Sequence, residues 1–312
     1  MTIRPPVNNP LLDDGATGPG VTVTLPTLGS FYDPTVLDPN INVMEAPVRP
    51  FSVWQELTWR DPYAIMSGDA FIQFMNVCAP WVLDPLSLCQ IDAEVIMMAA
   101  RDASYGPIIN VPVKCTNPAH HDDGAGNQVP VCQIETKCQI DLRQVIARYA
   151  PIHAPEEWRV TLKNGQRVNL RPVIHQDMVE TFKYQFELLK MTRQIEMKIK
   201  AGEEIGTEQY ISFRDKGLMV TKGVRLKQYT SSIRSVTTVS GQTITDRKMI
   251  EQWLNAIPAP EVGRIDERIE ALTKPMLHLM QIDYSCPNCG HGMGKISVLD
   301  DPTAFFGPGS AN

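Results

Sequence analysis

The segment Cys286-Pro287-Asn288-Cys289-Gly290 constrains this chain more than any other part of it. Two thiols separated by two residues make half of a tetrahedral metal site, with Zn–S bonds of about 2.3 Å. Gly290 relieves crowding where the backbone turns its amides toward the sulfurs. The flanking residues alternate in polarity, Gln281–Tyr284 before and Lys295–Val298 after, so the motif reads as the tip of a hairpin. The bland readings of a lone CxxC are a thioredoxin-like redox pair or two incidental thiols. The redox pair needs a neighbouring βαβ pattern, and a helix followed by a hairpin does not supply one.

One knuckle provides two ligands, and a structural site takes four. The other pair must come from Cys115, His120, His121, Cys132 and Cys138. Cys115 and His120 rank first, because Cys115 ends a strand-like run and Pro118 stiffens the loop between them. His121 competes with His120. Cys132 and Cys138 share side-chain parity in one alternating run, so either could be a ligand and both could be core. The expected site is therefore Cys115, His120, Cys286 and Cys289, closed around a structural zinc with no open position for water. Residues 121–285 separate the two pairs. Tying them closes a loop whose entropy is on the order of 5 kcal/mol.

Composition supports a folded chain in a reducing compartment. Of 312 residues, 43% are apolar and 21% charged, enough for a sizeable core. Seven cysteines are too sparse for a disulfide scaffold, and the number is odd. The first residues, MTIRPPVNNP, lack a secretory signal pattern. No apolar run approaches the roughly 20 residues that span a bilayer. The net charge of -6 argues against nucleic acid unless a local basic patch exists, and none stands out.

Four stretches follow from the patterning. Residues 1–50 hold 9 of the 25 prolines and read as an extended arm, with Phe31 and Tyr32 as docking aromatics. Residues 51–120 form a helical block, with Asp61-Pro62 opening a helix through Ile65 to Cys78 and Asp92 opening another through Ala100. Cys78 and Cys89 sit in these apolar stretches and read as buried thiols. Residues 121–285 hold an insert, a short helix over Asp141–Ala150, and two hairpins turning at Asn164-Gly165 and Ser240-Gly241. They also hold a long helix from about 175 to 201, whose face Met178, Phe182, Phe186 and Leu189 should be buried, with Gly202 as its cap. Residues 286–312 carry the knuckle and a tail in which Phe305 or Phe306 should pack on the chain itself. The fold class expected is α+β, mainly helical, with small antiparallel β hairpins and a zinc-ribbon-like site joining mid-chain to C-terminus.

A catalytic constellation is not apparent. The chain has no GxGxxG, P-loop, GxSxG or HExxH. His153 lies between prolines and His175 starts the long helix, where capping or packing is the expected role. Asp122-Asp123 and Asp300-Asp301 read as solvated pairs.

The order of features resembles the baseplate hub family of T-even-type tailed phages. The resemblance is carried by LPTLGSFYDP, RDASYG, VKC, VTLKNGQRVNLRPVIHQDM, DYSCPNCGHGM and DPTAFFG, and spans most of residues 22–307. The first 20 residues and the stretch from His121 to Pro130 depart from it, and relatives often carry a cysteine where His120 stands. The resemblance implies a non-enzymatic hub subunit or hub-assembly factor that contacts other phage baseplate proteins. It implies no small-molecule substrate and no membrane. It places the chain in the host bacterial cytoplasm during assembly or in the virion tail baseplate. The competing classes are a zinc-ribbon nucleic-acid or transcription module and a zinc hydrolase or thiol oxidoreductase.

Overall fold

The computed structural model describes residues 20–297 and Phe305, apart from 123–127, 131, 133, 153–154, 201–210 and scattered positions between 212 and 228 and between 275 and 280. The expectations for residues 1–19, His153, Gly202, Asp300, Asp301 and Phe306 lie outside the described residues. The fold is mixed α+β, with helices and five small antiparallel sheets among the described residues.

The first core gathers the N-terminal half. β1 (Val21–Val23) pairs with β2 (Ala46–Val48), so much of the proline-rich stretch lies against the body. Val23, Leu25, Val36, Ala46 and Val48 join this core. α1 (Val53–Thr58) starts at a capping box, in which Ser52 and Gln55 satisfy each other's backbone amides. α2 (Pro62–Ser67) is capped by Asp61, whose carboxylate accepts from the Tyr63 amide at 2.9 Å. Gly68 then breaks the run that the apolar spacing carried unbroken from Ile65 to Cys78. Its φ is +85°, and a Cβ there would lie 3.2 Å from both Leu86 and Val179. α3 (Asp69–Cys78) restarts beyond it at a new angle and buries Phe71, Phe74, Met75 and Cys78. α4 (Gln90–Tyr105) runs through the middle of the core. β3 (Ile108–Lys114), β6 (Glu135–Asp141) and α5 (Leu142–Ile146, capped by Asp141) close it. Cys78 and Cys89 are buried as expected, and burial pushes each thiol up to about 12.

A second core lies under a four-stranded antiparallel sheet in the order β10-β9-β8-β7. Its strands are β7 (Arg159–Thr161), β8 (Arg167–Leu170), β9 (Ile233–Thr237) and β10 (Thr243–Ile244). Both expected hairpins are present. Two further helices, Arg247–Ala256 and Ala259–Thr273, add Ile250, Leu254, Ile265 and Leu272 to this core. Phe31 does dock on the chain itself. Its ring meets Trp158 edge-on with centroids 5.5 Å apart, which ties the N-terminal stretch to the second core.

The long helix, α6 (His175–Lys200), corrects one expectation. Its N-terminal end is anchored: Val179 is buried, and Asp177 pairs with Arg171 at 2.8 Å. His175 is stacked on Phe71 and held by burial down to about 4. Beyond that end the predicted apolar face is exposed, with Phe182 42%, Phe186 42% and Leu189 51% accessible. Helical spacing showed that these residues share a face, but nothing in the spacing supplied a surface for that face to meet.

Two carboxylates enter the first core on α4. Asp92 is fully buried and accepts from the Thr27 amide at 3.0 Å and the Tyr32 hydroxyl at 2.6 Å. Glu94 accepts from the Tyr149 hydroxyl at 3.0 Å. Burial raises Asp92 to about 6 and Glu94 to about 7. A carboxyl raised in the folded state binds its proton there over a range where the unfolded chain has lost it. Its stabilising contribution is complete below the unfolded value and is lost as pH rises through the folded one. Replacing Glu94 with Gln should remove this dependence. The melting-temperature advantage of wild type over Glu94→Gln should shrink between about pH 4 and about pH 7. A constant difference across that range would contradict the assignment.

Candidate metal centre

The centre is built from two hairpins far apart in sequence. β3 and β6 pair in register from Ile108↔Asp141 to Lys114↔Glu135, and the ladder continues with the Cys115 amide donating to Ile134 at 3.0 Å. Cys115 and Cys132 therefore flank the connected end of one hairpin, where the chain leaves β3 and returns toward β6. β11 (Gln281–Ser285) pairs with β12 (Gly292–Ser297), and the knuckle forms their tip. The tip closes through the Cys286 amide to the His291 carbonyl and the Gly290 amide to the Cys286 carbonyl, each at 2.9 Å. Gly290 takes φ +70°, the left-handed conformation the turn requires.

The two ends meet through their sulfurs. The Sγ atoms of Cys115 and Cys289 are 3.6 Å apart, and those of Cys132 and Cys286 are 3.8 Å apart. All four lie within 4.8 Å of one another. A tetrahedron of thiolates with bonds of about 2.3 Å has edges of about 3.8 Å. A disulfide would need about 2.05 Å. Cys115, Cys132 and Cys286 are buried, with Cys289 and Met293 completing a small cluster of their own.

The surroundings suit thiolates. Asn288 donates to the Cys132 sulfur at 3.5 Å, and Asn117 donates to the Cys289 sulfur at 3.6 Å. Backbone amides two residues downstream serve three of the four sulfurs: Asn117 for Cys115, Ile134 for Cys132 and His291 for Cys289. Asn288 leads in lowering the Cys132 thiol to about 6, and the His291 amide leads in lowering Cys289. Burial pushes Cys115 up to about 12. Four thiols this close, three of them buried, cannot all ionise alone, so a cation of high charge is what this donor set fits.

Three of the four expected ligands, Cys115, Cys286 and Cys289, come together. Cys132 stands in the fourth place, one of the alternatives to His120. The His120 backbone lies in β4 (His120–Asp122), paired with β5 (Gln128–Pro130), while the side chains of His120 and His121 lie outside the described residues. Cys138 faces Val111 across the β3–β6 ladder and belongs to the first core. Side-chain parity grouped Cys132 with Cys138 because Val131–Ile140 read as one strand. The strand begins only at Glu135, so Cys132 escapes the alternation. The usable signal was hairpin symmetry. Antiparallel pairing of the two runs sets the end of one beside the start of the other, and each carries a cysteine there.

Residues 35–307 match the protein family described as T4 bacteriophage base plate protein. The chain belongs to that family. Neither the curated proteins nor the solved structures include a significant match. A base plate protein works by contact with other phage structural proteins in the virion tail. Among the described residues, no helix is long and apolar enough to cross a membrane. The matched span includes both cysteine-bearing hairpins and all four cysteines.

Proposed function

We propose that this chain is a non-enzymatic subunit or assembly factor of the base plate hub, and that its four cysteines hold one structural zinc. The observation that carries the metal reading is the convergence of four sulfurs from two distant hairpins at tetrahedral spacing. Four protein ligands fill the coordination sphere and leave no place for a reactive water, which favours a staple over a hydrolytic centre. The ion clasps the mid-chain hairpin to the C-terminal one as a zinc ribbon does, with the intervening residues held at their base. Family membership and the acidic net charge of -6 favour protein partners over nucleic acid.

The assembly role is tested by purifying hub precursors from infected host cells and comparing them with finished particles. The chain is expected in the precursor complexes, formed in the host cytoplasm. Its presence or absence in the finished tail then distinguishes subunit from assembly factor. Absence from both would overturn the hub reading.

A further inference from the structure

We propose that the exposed face of α6 is a docking site for an acid-flanked amphipathic helix of another phage structural protein. This deepens the base plate reading above and rests on it. α6 has 26 residues and is therefore about 39 Å long. Its N-terminal end is fixed three ways: Asp177 to Arg171 at 2.8 Å, Asp177 to Arg247 at 3.5 Å, and Glu180 to Lys227 at 3.1 Å. The described residues between 211 and 232 are helical up to Ser232, so a second helical segment returns beside that anchored end. The rest of α6 extends from a rigid base.

Phe182, Phe186 and Leu189 recur at spacings of four and three, which places them on one stripe. Arg193 and Met197 continue it. A helix that presents two phenylalanines and a leucine to water has the composition of a helix-in-groove or helix-on-helix anchor.

Charge selects the partner. Lys183 and Lys190 lie along one flank of the stripe, and Arg193 and Lys200 lie within it, all four exposed. Among the described exposed residues of α6, Glu196 is the only acid. From Lys183 to Lys200 the helix carries five cations against the acids Glu187 and Glu196, a local reversal of sign on a chain of net charge -6. A second copy of the chain would bring the same cations to the same stripe, and like charges across an interface disfavour that pairing. On the acidic helix Ala259–Thr273 the apolar residues Ile265 and Leu272 are buried, so that helix cannot serve as the partner from a second copy. The partner that fits carries an apolar stripe bordered by Asp or Glu.

The test uses the full chain and two labelled helical peptides with the same leucine stripe, one flanked by Glu and the other by Lys. Fluorescence anisotropy at low salt should show the Glu peptide binding at least about tenfold tighter, with the preference falling as salt rises. Lys183→Glu with Lys190→Glu should abolish the preference, and Phe186→Asp should remove binding. Equal binding of the two peptides, no binding of the Glu peptide, or full binding by Phe186→Asp would overturn the proposal. So would stronger, Phe186-dependent binding to vesicles of anionic phospholipid, which would assign the face to a membrane surface. In infected cells, a Phe186→Asp chain with wild-type melting temperature and metal content should fail to complete base plates. Normal assembly by that variant would sink the docking face while leaving hub membership intact. Only the absence of the wild-type chain from both hub precursors and finished particles would sink hub membership.

Discussion

Exhaustive chelation should release about one zinc per chain and bring cooperative loss of structure around the two hairpins that carry the cysteines. Apparent zinc binding in small modules is worth roughly 10–16 kcal/mol near neutral pH. That is comparable with or larger than the roughly 5–15 kcal/mol that stabilises a typical domain. The effect should therefore appear as a large drop in melting temperature and as loss of near-ultraviolet dichroism. Cys132→Ser and Cys289→Ser should each lose the metal, whereas Cys138→Ser should keep it, because Cys138 is buried in the first core away from the cluster. His120→Ala decides between the two candidates for the fourth ligand. Metal retained by His120→Ala and lost by Cys132→Ser supports the four-cysteine site. The reverse pattern would return the fourth place to His120. Unchanged stability after complete metal removal would refute the staple altogether.

Phe305→Ala should be the most damaging single truncation in the C-terminal tail. Phe305 is fully buried and belongs to the first core, alongside residues of β1, α3 and α4. Removing a buried phenylalanine ring costs about 3–5 kcal/mol when the cavity cannot collapse. In a chain of this size that should lower the melting temperature by roughly 5–8 °C. Phe186→Ala, made as a control on the exposed stripe of α6, should change stability by no more than about 0.5 kcal/mol. Thermal denaturation of both variants checks the contrast. If Phe305→Ala melts like wild type, the tail does not contribute to the core. If Phe186→Ala is the more destabilising of the two, the apolar face of α6 is covered within the chain.

Local chemistry made much of this architecture readable. Asp61-Pro62 marked a helix start because Pro is pre-set for the first turn and Asp accepts the orphan amide. Asn164-Gly165 marked a hairpin because the turn needs positive φ, and Gly165 adopts +85°. The knuckle was legible because a Cys-x-x-Cys spacing brings two sulfurs to one point, and they do join the cluster within 4.8 Å. What failed to show was longer in range. The break at Gly68 follows from Leu86 and Val179 packing against it, and neither contact is local. The choice of Cys132 depends on strand register, which alternation along one strand cannot fix without its partner. The exposure of Phe182 and Phe186 depends on which surfaces surround α6. Periodicity identifies a face and is silent about its neighbours.

The wide separation of Cys132 from Cys286 also orders events during synthesis. The first hairpin leaves the ribosome with Cys115 and Cys132 in place but without the second pair of sulfurs. At translation rates of about 5–20 residues per second, the knuckle follows roughly 8–30 s later. Throughout that interval the nascent chain carries two thiols that can oxidise, or bind a wrong ion, before their partners exist. Phe305, which completes the first core, emerges later still. Commitment to the native state is thus postponed until the second pair of sulfurs and Phe305 have emerged. A chain truncated before the knuckle lacks both the second pair of sulfurs and Phe305 of the first core, and so cannot enter assembly as a folded competitor.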